Sequence, residues 1–501
     1  MDRTLGLPLL AAAAALASAL YAGDARACGG CFHPEEQTPE QSSVVTAHRM
    51  ALSISTTRSV LWDQVQYSGS PAEFAWVLPV RSGARIEVAS DAWFEALDAA
   101  TATRVASPAL DCGMDDMGYS CGPPGAVGCS AGEAAGADLS SAVQADPVTV
   151  VHRGSAGPYE TVTLHADVPG ALTGWLADNG FAVSAEIQPI IDGYAEDGFD
   201  FIALRLLPDV GVQQMKPVRV IQPGAVAALP LRMVAAGTGA NVAMTLFVIG
   251  EGRWETQSFP ATEVDISQVV WDWNAQQSNY SLLRDSALAA GDGRSWLTAY
   301  AHKGALLSPI TNPVTFGPTE YFVGAQSSLT IGEAFIRQGI ENGETGSAAC
   351  LAALQANAQS SSVIADPCDD EGVCLPLTAG QIDARTLACG ELDDLAVALT
   401  GMHPKDVWLT RLEANLPRAA LTSDLALAPA AEQVRVEGWI TASRVDNSPC
   451  PAAGAAGLRP SSGGARPSPG AAFALLGGLM ALALGLRRVA RVPQRRRVAL
   501  G

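Results

Sequence analysis

The hydrophobic and polar positions in the first half of the chain alternate in the way typical of β-strands. In the stretch VLWDQVQYSG, Val65 and Tyr67 alternate with Gln64 and Gln66, and VVTAHRMALSIS, EFAWVLPV and TVTLHAD show similar β-rich patterns. The stretches FDFIALRLLP and NVAMTLFVIG are apolar on both faces, which indicates buried strands. We expect these two strands to form the centre of the first domain.

A helical period replaces this alternation in shorter segments. It predicts a helix over DAWFEALDAA, which follows a capping residue, Ser90, and carries Trp93, Phe94 and Leu97 on one face. It predicts two more helices in ALTGWLADNG, where Gly180 suits the C-terminal cap, and in ELDDLAVALTG. Residues 272–304 have a more helical pattern than the first half, and VRVEGWITA is expected to be a closing strand.

The order of these segments predicts an α+β fold, because strands and helices do not alternate as they do in β-α-β units. Residues 28–450 are too many for one ordinary core and suit two domains or three. We expect a β-rich first domain over residues 28–264 and a second α+β domain over residues 265–445. No repeat of fixed period is visible in the sequence.

The two ends of the chain predict export and membrane attachment. Residues 1–27 have the order of a secretory signal peptide, with a basic residue, an apolar run and an A-x-A cleavage site. Residues 446–469 read as a Gly/Pro/Ala/Ser linker. Residues 470–486 form an uncharged run of about 25 Å as a helix, and the arginine-rich residues 487–501 favour a cytoplasmic C-terminus. The sequence therefore predicts an exported ectodomain anchored by one C-terminal transmembrane helix.

The charge of the predicted ectodomain excludes one class of partner. The whole chain carries a formal net charge of -20, and residues 28–450 alone contain 49 acidic against 21 basic residues, a net of -28. A surface this acidic repels nucleic acid and favours cations or basic partners.

All the cysteines fall in the part of the chain that is expected to be exported, which favours disulfides that staple loops. They are Cys28, Cys31, Cys112, Cys121, Cys129, Cys350, Cys368, Cys374, Cys389 and Cys450. Cys28 and Cys31 form a C-x-x-C pair at the expected mature N-terminus, where the alternatives are a redox pair, a metal clip and a lipid anchor at Cys28. Haem attachment would require C-x-x-C-H, and Phe32 displaces His33 by one place.

An acidic loop between cysteines is the candidate metal site. Asp366, Asp369, Asp370 and Glu371 are hard oxygen ligands of the kind that Ca²⁺ prefers, and Cys368 lies among them. The loop lacks the D-x-D-x-D-G register of an EF-hand, so a solvated acidic loop is the alternative. No P-loop and no G-x-G-x-x-G motif occurs, and GYSCG at residues 118–122 lacks the strand and helix of a nucleophile elbow. The sequence therefore identifies no catalytic residue and no cofactor other than a candidate calcium ion.

Several separated motifs resemble one bacterial family. CGGCF, MALSIS, LWDQVQYSGSPAEFAWVLPV, IIDGYAEDGFDFIALRLLP, KPVRVIQPGAVAALPLRM and WLTRLEANLPRAALTSDLAL are similar to the domain-of-unknown-function family numbered 2330. The resemblance runs from about residue 28 to about residue 445 and implies an exported protein of unassigned activity. The linker, short hydrophobic helix and arginine cluster resemble the C-terminal sorting tails of the PEP and MYXO type.

Two functional hypotheses follow. The first is a membrane-anchored, non-enzymatic envelope protein whose ectodomain binds or scaffolds an envelope protein or another ligand outside the cytoplasm. The second is an envelope enzyme, either a thiol oxidoreductase that uses Cys28 and Cys31 or a hydrolase with an unrecognised site.

Overall fold

The structure is a computed structural model, and it describes only part of the chain. The described residues are 31–32, 43–69, 75–108, 148–166, 168–207, 215–307, 315–316, 321–322, 330–345, 362–364, 381–404 and 406–448. They all belong to one compact unit that ends at Pro449. The expected signal peptide, transmembrane helix and basic tail lie outside these ranges, and so does the expected linker except for residues 446–448. Within these ranges, no helix is long and apolar enough to cross a membrane.

Strands make up most of the regular structure. In chain order they are β1 (Cys31–Phe32), β2 (Ser43–Ile54), β3 (Arg58–Gly69), β4 (Ala75–Val80), β5 (Arg85–Val88), β6 (Arg104–Ala106), β7 (Val148–Ala156), β8 (Tyr159–Ala166), β9 (Asp200–Leu206), β10 (Val218–Pro223), β11 (Ala228–Leu229), β12 (Thr238–Glu251), β13 (Trp254–Thr256), β14 (Ala261–Thr262), β15 (Val270–Asp272), β16 (Gln277–Ser278), β17 (Trp296–Lys303), β18 (Thr315–Phe316), β19 (Tyr321–Phe322), β20 (Ser362–Ile364), β21 (Gln381–Asp383), β22 (Val407–Pro417), β23 (Leu425–Pro429), β24 (Trp439–Thr441) and β25 (Arg444–Asp446).

The helices are short and cover the sheets. They are α1 (Asp91–Thr101), α2 (Ala171–Asp178), α3 (Gln188–Glu196), α4 (Leu231–Val234), α5 (Tyr280–Gly293), α6 (Ile331–Glu341) and α7 (Asp394–Leu399), with 3₁₀ turns at Ile266–Gln268, Ala384–Leu387 and Arg418–Ala420. Helix α5 departs from helical backbone angles at Ala290. This content confirms the β-rich α+β class that the sequence predicts.

The largest sheet has eight strands in the order β14-β17-β22-β12-β2-β3-β10-β5. Strands β2 and β12 pair in parallel, whereas β12 pairs antiparallel with β22 on its other side. Leu246, Phe247, Val248 and Ile249 of β12 are fully buried, so both faces of the sheet are covered at its centre. Strands from both sides of residue 264 take part in this sheet.

A second sheet has five strands in the order β1-β4-β9-β8-β7. It shares one hydrophobic core with the eight-stranded sheet, in which Leu52, Leu61 and Val220 of the larger sheet join Trp76 and Leu204 of the smaller. Strand β4 is buried along its whole length, which agrees with a layer that is covered on both faces.

A helical layer covers the other face of the eight-stranded sheet. Trp93 of α1 lies 6.0 Å from Trp62 of β3 and 5.3 Å from Phe335 of α6, measured between ring centroids. Leu395 of α7 and Phe247 of β12 belong to the same core. The predicted helix after Ser90 is confirmed, because Ser90 caps α1 and Trp93 and its neighbours are buried.

Residues 272–304 are less helical than their pattern predicts. Helix α5 ends at Gly293, and the residues that follow form strand β17, which pairs antiparallel with β22. Sheet pairing decides the structure of this segment over its local pattern. The predicted closing strand in VRVEGWITA is reduced to β24, three residues that pair in parallel with β6.

Candidate functional site

A carboxylate from a distant part of the chain holds the N-terminus of helix α1. Glu344 accepts hydrogen bonds from the Ser90 hydroxyl at 2.8 Å, from the Asp91 backbone N–H at 3.0 Å and from the Ala92 backbone N–H at 3.1 Å. The first N–H groups of a helix lack partners within the helix and carry partial positive charge. Glu344 therefore satisfies donors that the helix itself cannot satisfy.

Lys216 joins this carboxylate to the first residue of the helix. Its Nζ donates to Asp91 Oδ2 at 2.6 Å and to Glu344 Oε1 at 2.8 Å. Burial acts to lower the pKa of Lys216, but its hydrogen bonds to the two carboxylates outweigh burial and raise the pKa. Burial likewise acts to raise the pKa of Glu344, and the hydrogen bonds from Lys216, Ser90 and the backbone lower it overall. Both groups are therefore charged at neutral pH.

A buried arginine continues this network beneath the helix. Arg219 of β10 donates to Glu87 at 2.7 Å, to Asp393 at 2.6 Å and to Asp394 at 3.0 Å. Asp394 is fully buried, and it also accepts from Trp62 Nε1 at 2.7 Å and from the Ser90 N–H at 3.0 Å. Burial raises the pKa of Asp394 to about 6 against the opposing effect of Arg219 and the two donors.

Two further arginines extend the network along α1. Arg49 of β2 donates to Gln64 Oε1 through Nε at 2.8 Å and to Asp98 Oδ2 through Nη1 at 2.7 Å. Arg411 of β22 donates to the other oxygen of Asp98 at 2.7 Å. Gln64 in turn donates to Asp91 at 2.9 Å, which connects these arginines to Lys216. We call this connected set of side chains the α1 network. Its members are Glu87, Arg219, Asp394, Ser90, Glu344, Lys216, Asp91, Gln64, Arg49, Asp98 and Arg411.

The α1 network borders an open cleft of about 210 Å³ at the end of strand β3. Most of the residues that line it are polar, cationic or aromatic, and two are aliphatic: Arg49, Gln64, Val65, Gln66, Tyr67, Trp76, Tyr159, Met215 and Lys216. Tyr159 fixes one wall, because its hydroxyl donates to the Lys216 carbonyl at 2.7 Å and accepts from the Lys216 backbone N–H at 3.0 Å. Among the described residues that line the cleft, none is Asp or Glu.

Two histidines of the five-stranded and eight-stranded sheets pair with carboxylates. His48 Nδ1 lies 3.0 Å from Asp63 Oδ1 with both side chains buried, beside a cavity of only about 20 Å³. His165 Nδ1 lies 2.5 Å from Asp200 Oδ1, with the imidazole 43 % exposed and the carboxylate 4 % exposed. Neither pair lines the 210 Å³ cleft.

The structure describes few of the residues that the sequence singles out as site candidates. The candidate calcium ligands Asp366, Asp369, Asp370 and Glu371 lie outside the described residues, and so do most of the cysteines. Cys31 lies in β1 opposite Trp76 of β4, and Cys389 is buried and disulfide-bonded. In the part of the chain that the structure describes, no group of three or more His, Cys, Asp or Glu side chains could hold a metal ion.

The α1 network and its cleft are absent from the sequence-based expectations. One signal was available: Lys216 is one of three lysines in the chain, and Arg219 interrupts the apolar stretch VRVI. A charge inside a buried strand requires a partner, because an isolated buried charge is very costly. The identity of that partner could not be inferred, since Asp393 is 174 residues away in sequence.

Together these features define an α+β protein with a partly aromatic cleft, whose described lining residues include no Asp or Glu, beside a partly buried network of ion pairs. The chain belongs to the bacterial family described as "Uncharacterized protein conserved in bacteria (DUF2330)", whose model matches residues 23–316. No curated protein and no solved structure matches the chain.

Proposed function

We propose that this protein is an exported, membrane-anchored envelope protein whose ectodomain binds a small polar ligand in the cleft beside helix α1. The cleft is the observation that supports ligand binding, because its walls include the exposed residue Gln66, two cationic side chains and three aromatic ones. Ligand sites commonly combine apolar and aromatic walls with a few convergent polar groups.

The architecture beneath the cleft supports a preformed site. The cleft residues Arg49, Gln64 and Lys216 are each fixed by hydrogen bonds to carboxylates or amides of the α1 network. A site whose side chains are already ordered loses less conformational entropy when it binds a ligand. This arrangement is consistent with a binding protein and requires no catalytic group.

The sequence of the two ends supports the location that we propose. The signal-like residues 1–27 favour export, and the uncharged residues 470–486 with the arginines that follow favour anchoring with a cytoplasmic C-terminus. Disulfides among the exported cysteines would staple the loops of the ectodomain.

A topology experiment tests the location. Intact bacterial cells and cells with a permeabilised envelope are treated with a protease, and the ectodomain and an epitope tag placed after Gly501 are followed by immunoblot. We expect to find the protein in the membrane fraction. A protease that reaches and digests the ectodomain should leave the C-terminal tag intact. A protein recovered wholly in the cytosolic fraction would contradict the proposal.

A fragment screen tests the binding site. The full chain, purified in detergent, is titrated with a library of polar fragments by ligand-observed NMR, alongside a Gln66→Trp variant that fills the cleft. The matched control is Val151→Trp, since Val151 is 57 % exposed and does not line the cleft. We expect saturable binding that Gln66→Trp removes and Val151→Trp leaves intact, and equal binding by all three proteins would refute a site in this cleft.

A further inference from the structure

The charges that line the cleft differ in sign from the chain as a whole. The chain carries a net charge of -20, yet the charged side chains on the described cleft wall are the cations Arg49 and Lys216. The carboxylates that balance them, Asp91, Asp98 and Glu344, are not part of the cleft wall. The charged side chains among the described lining residues are therefore hydrogen-bond donors, Arg49 and Lys216.

Both cations retain donors after their contacts with described residues are counted. Arg49 uses Nε and one hydrogen of Nη2 for Gln64 and one hydrogen of Nη1 for Asp98, so each terminal nitrogen keeps one N–H. The Lys216 ammonium donates to Asp91 and Glu344 and keeps a third N–H. The side chains of Arg49 and Lys216 are 21 % and 36 % exposed, so solvent and a ligand can reach them.

We propose that the cleft binds a small organic carboxylate, whose oxygens accept the remaining N–H groups of Arg49 and Lys216 while its apolar part packs against the aromatic wall. This inference rests on the proposed binding function and adds the chemical class of the ligand. Hydrogen bonds between a carboxylate and ionised donors are shorter and stronger than those between neutral groups.

The size and walls of the cleft restrict the ligand further. A volume of about 210 Å³ is below the range of about 300–1,000 Å³ that is typical of pockets for drug-sized ligands, so the cleft suits a ligand with a single ring. Tyr67, Trp76 and Tyr159 supply aromatic surface beside the two cations. Benzoate matches this size and chemistry and is a suitable probe, since benzamide has nearly the same shape without the charge.

The experiment compares benzoate with benzamide by isothermal titration calorimetry against the full chain in detergent, with a blank of micelles alone. We expect benzoate to bind roughly 10-fold to 100-fold more tightly, the range for hydrogen bonds to charged groups. Equal affinities would overturn the carboxylate inference and leave a polar binding site standing. If the fragment screen finds ligands that bind in the cleft but neither benzoate nor benzamide binds, the carboxylate inference fails and the proposed binding function stands.

Variants locate the interaction. Lys216→Met removes one cation, and Lys303→Met is its matched control because Lys303 pairs with Asp406 on the surface and does not line the cleft. We expect Lys216→Met to weaken benzoate binding roughly 10-fold or more and Lys303→Met to leave it unchanged. Arg49→Lys keeps the charge but loses the fixed planar fork, and it provides a second variant if Lys216→Met does not fold. Unchanged benzoate affinity in both Lys216→Met and Arg49→Lys would overturn the proposed contact.

Discussion

Replacing Glu344 with Gln tests whether the distant carboxylate stabilises helix α1 in the way that the structure indicates. The wild-type side chain is 13 % exposed and accepts from Ser90, from the backbone of Asp91 and Ala92, and from Lys216. The substitution preserves the shape of the side chain, but it removes the charge and replaces one acceptor oxygen with an NH₂ group that faces donors.

The expected cost follows from these contacts. A hydrogen bond to a charged group contributes about 1.5–3 kcal/mol, and a neutral one about 0.5–1.5 kcal/mol. Breaking a buried ion pair costs about 3–5 kcal/mol, but Lys216 is partly exposed and keeps Asp91 as a partner, so we take a lower value. We expect Glu344→Gln to lower the free energy of unfolding by about 2–4 kcal/mol at pH 7.

Urea unfolding of the full chain, followed by tryptophan fluorescence and circular dichroism, measures this loss. Glu341→Gln is the matched control, because Glu341 is an exposed glutamate at the end of helix α6, three residues before Glu344. The lowered pKa of Glu344 adds a pH signature, since its contribution is present above the ordinary glutamate pKa of 4.5 and is lost as the pH falls through the lower folded value. A Glu344→Gln protein within about 0.5 kcal/mol of Glu341→Gln at pH 7 would refute the reasoning.

Three further predictions concern the same layer of the structure. Gly339→Ala in α6 should destabilise the protein by about 1–3 kcal/mol, because the added Cβ would lie 2.3 Å from Leu392 Cδ1. At Gly174 in α2 an added Cβ meets open space, so Gly174→Ala should stabilise the protein by up to about 1 kcal/mol. Melting temperatures of the two variants that shift in the same direction would contradict this prediction. Arg219→Met should cost about 3–5 kcal/mol of unfolding free energy, because it leaves the buried Asp394 carboxylate without its cation. Arg85→Met, at a side chain 66 % exposed, should cost less than about 1 kcal/mol, and similar losses in the two variants would argue against the buried ion pair. Burial raises the pKa of Asp394 from 3.8 to about 6, so as the pH falls the folded state takes up a proton at a higher pH than the unfolded chain does. The contribution of Asp394 to stability is therefore complete below the unfolded pKa and is lost as the pH rises through about 6. The unfolding free energy of wild type should therefore increase relative to Asp394→Asn from pH 7 to about pH 5, and a constant difference would contradict the raised pKa.

The sequence predicts the elements whose patterns are local. Helix α1 is recognisable from its capping Ser90 and from the buried face of Trp93, Phe94 and Leu97, and these features are confirmed. Strand β12 is recognisable as a buried strand from its apolar run, and it lies in the middle of the eight-stranded sheet. Such features depend on residues within one element, so a single sequence contains the information.

The sequence does not predict elements and sites that depend on distant partners. Strand β17 has a locally ambiguous pattern, and its pairing with β22 determines its structure. The hydrogen bond from Ser90 to Glu344, which helps to cap α1, joins residues that are 254 positions apart in sequence. The candidate cleft likewise forms only when residues of β3, β4 and β8 come together in the folded chain. Composition and motifs direct attention to cysteines and acidic loops, whereas the cleft is built from glutamines, tyrosines and cations that no motif marks.

The most direct test of the central claim, that the cleft beside α1 binds a small carboxylate, is a crystal structure of the full chain soaked with benzoate. The structure predicts electron density for the ligand in the cleft, with its carboxylate within hydrogen-bond distance of Arg49 and Lys216 and its ring against the aromatic wall. A cleft occupied only by water at saturating benzoate, or benzoate bound only elsewhere on the protein, would contradict the claim.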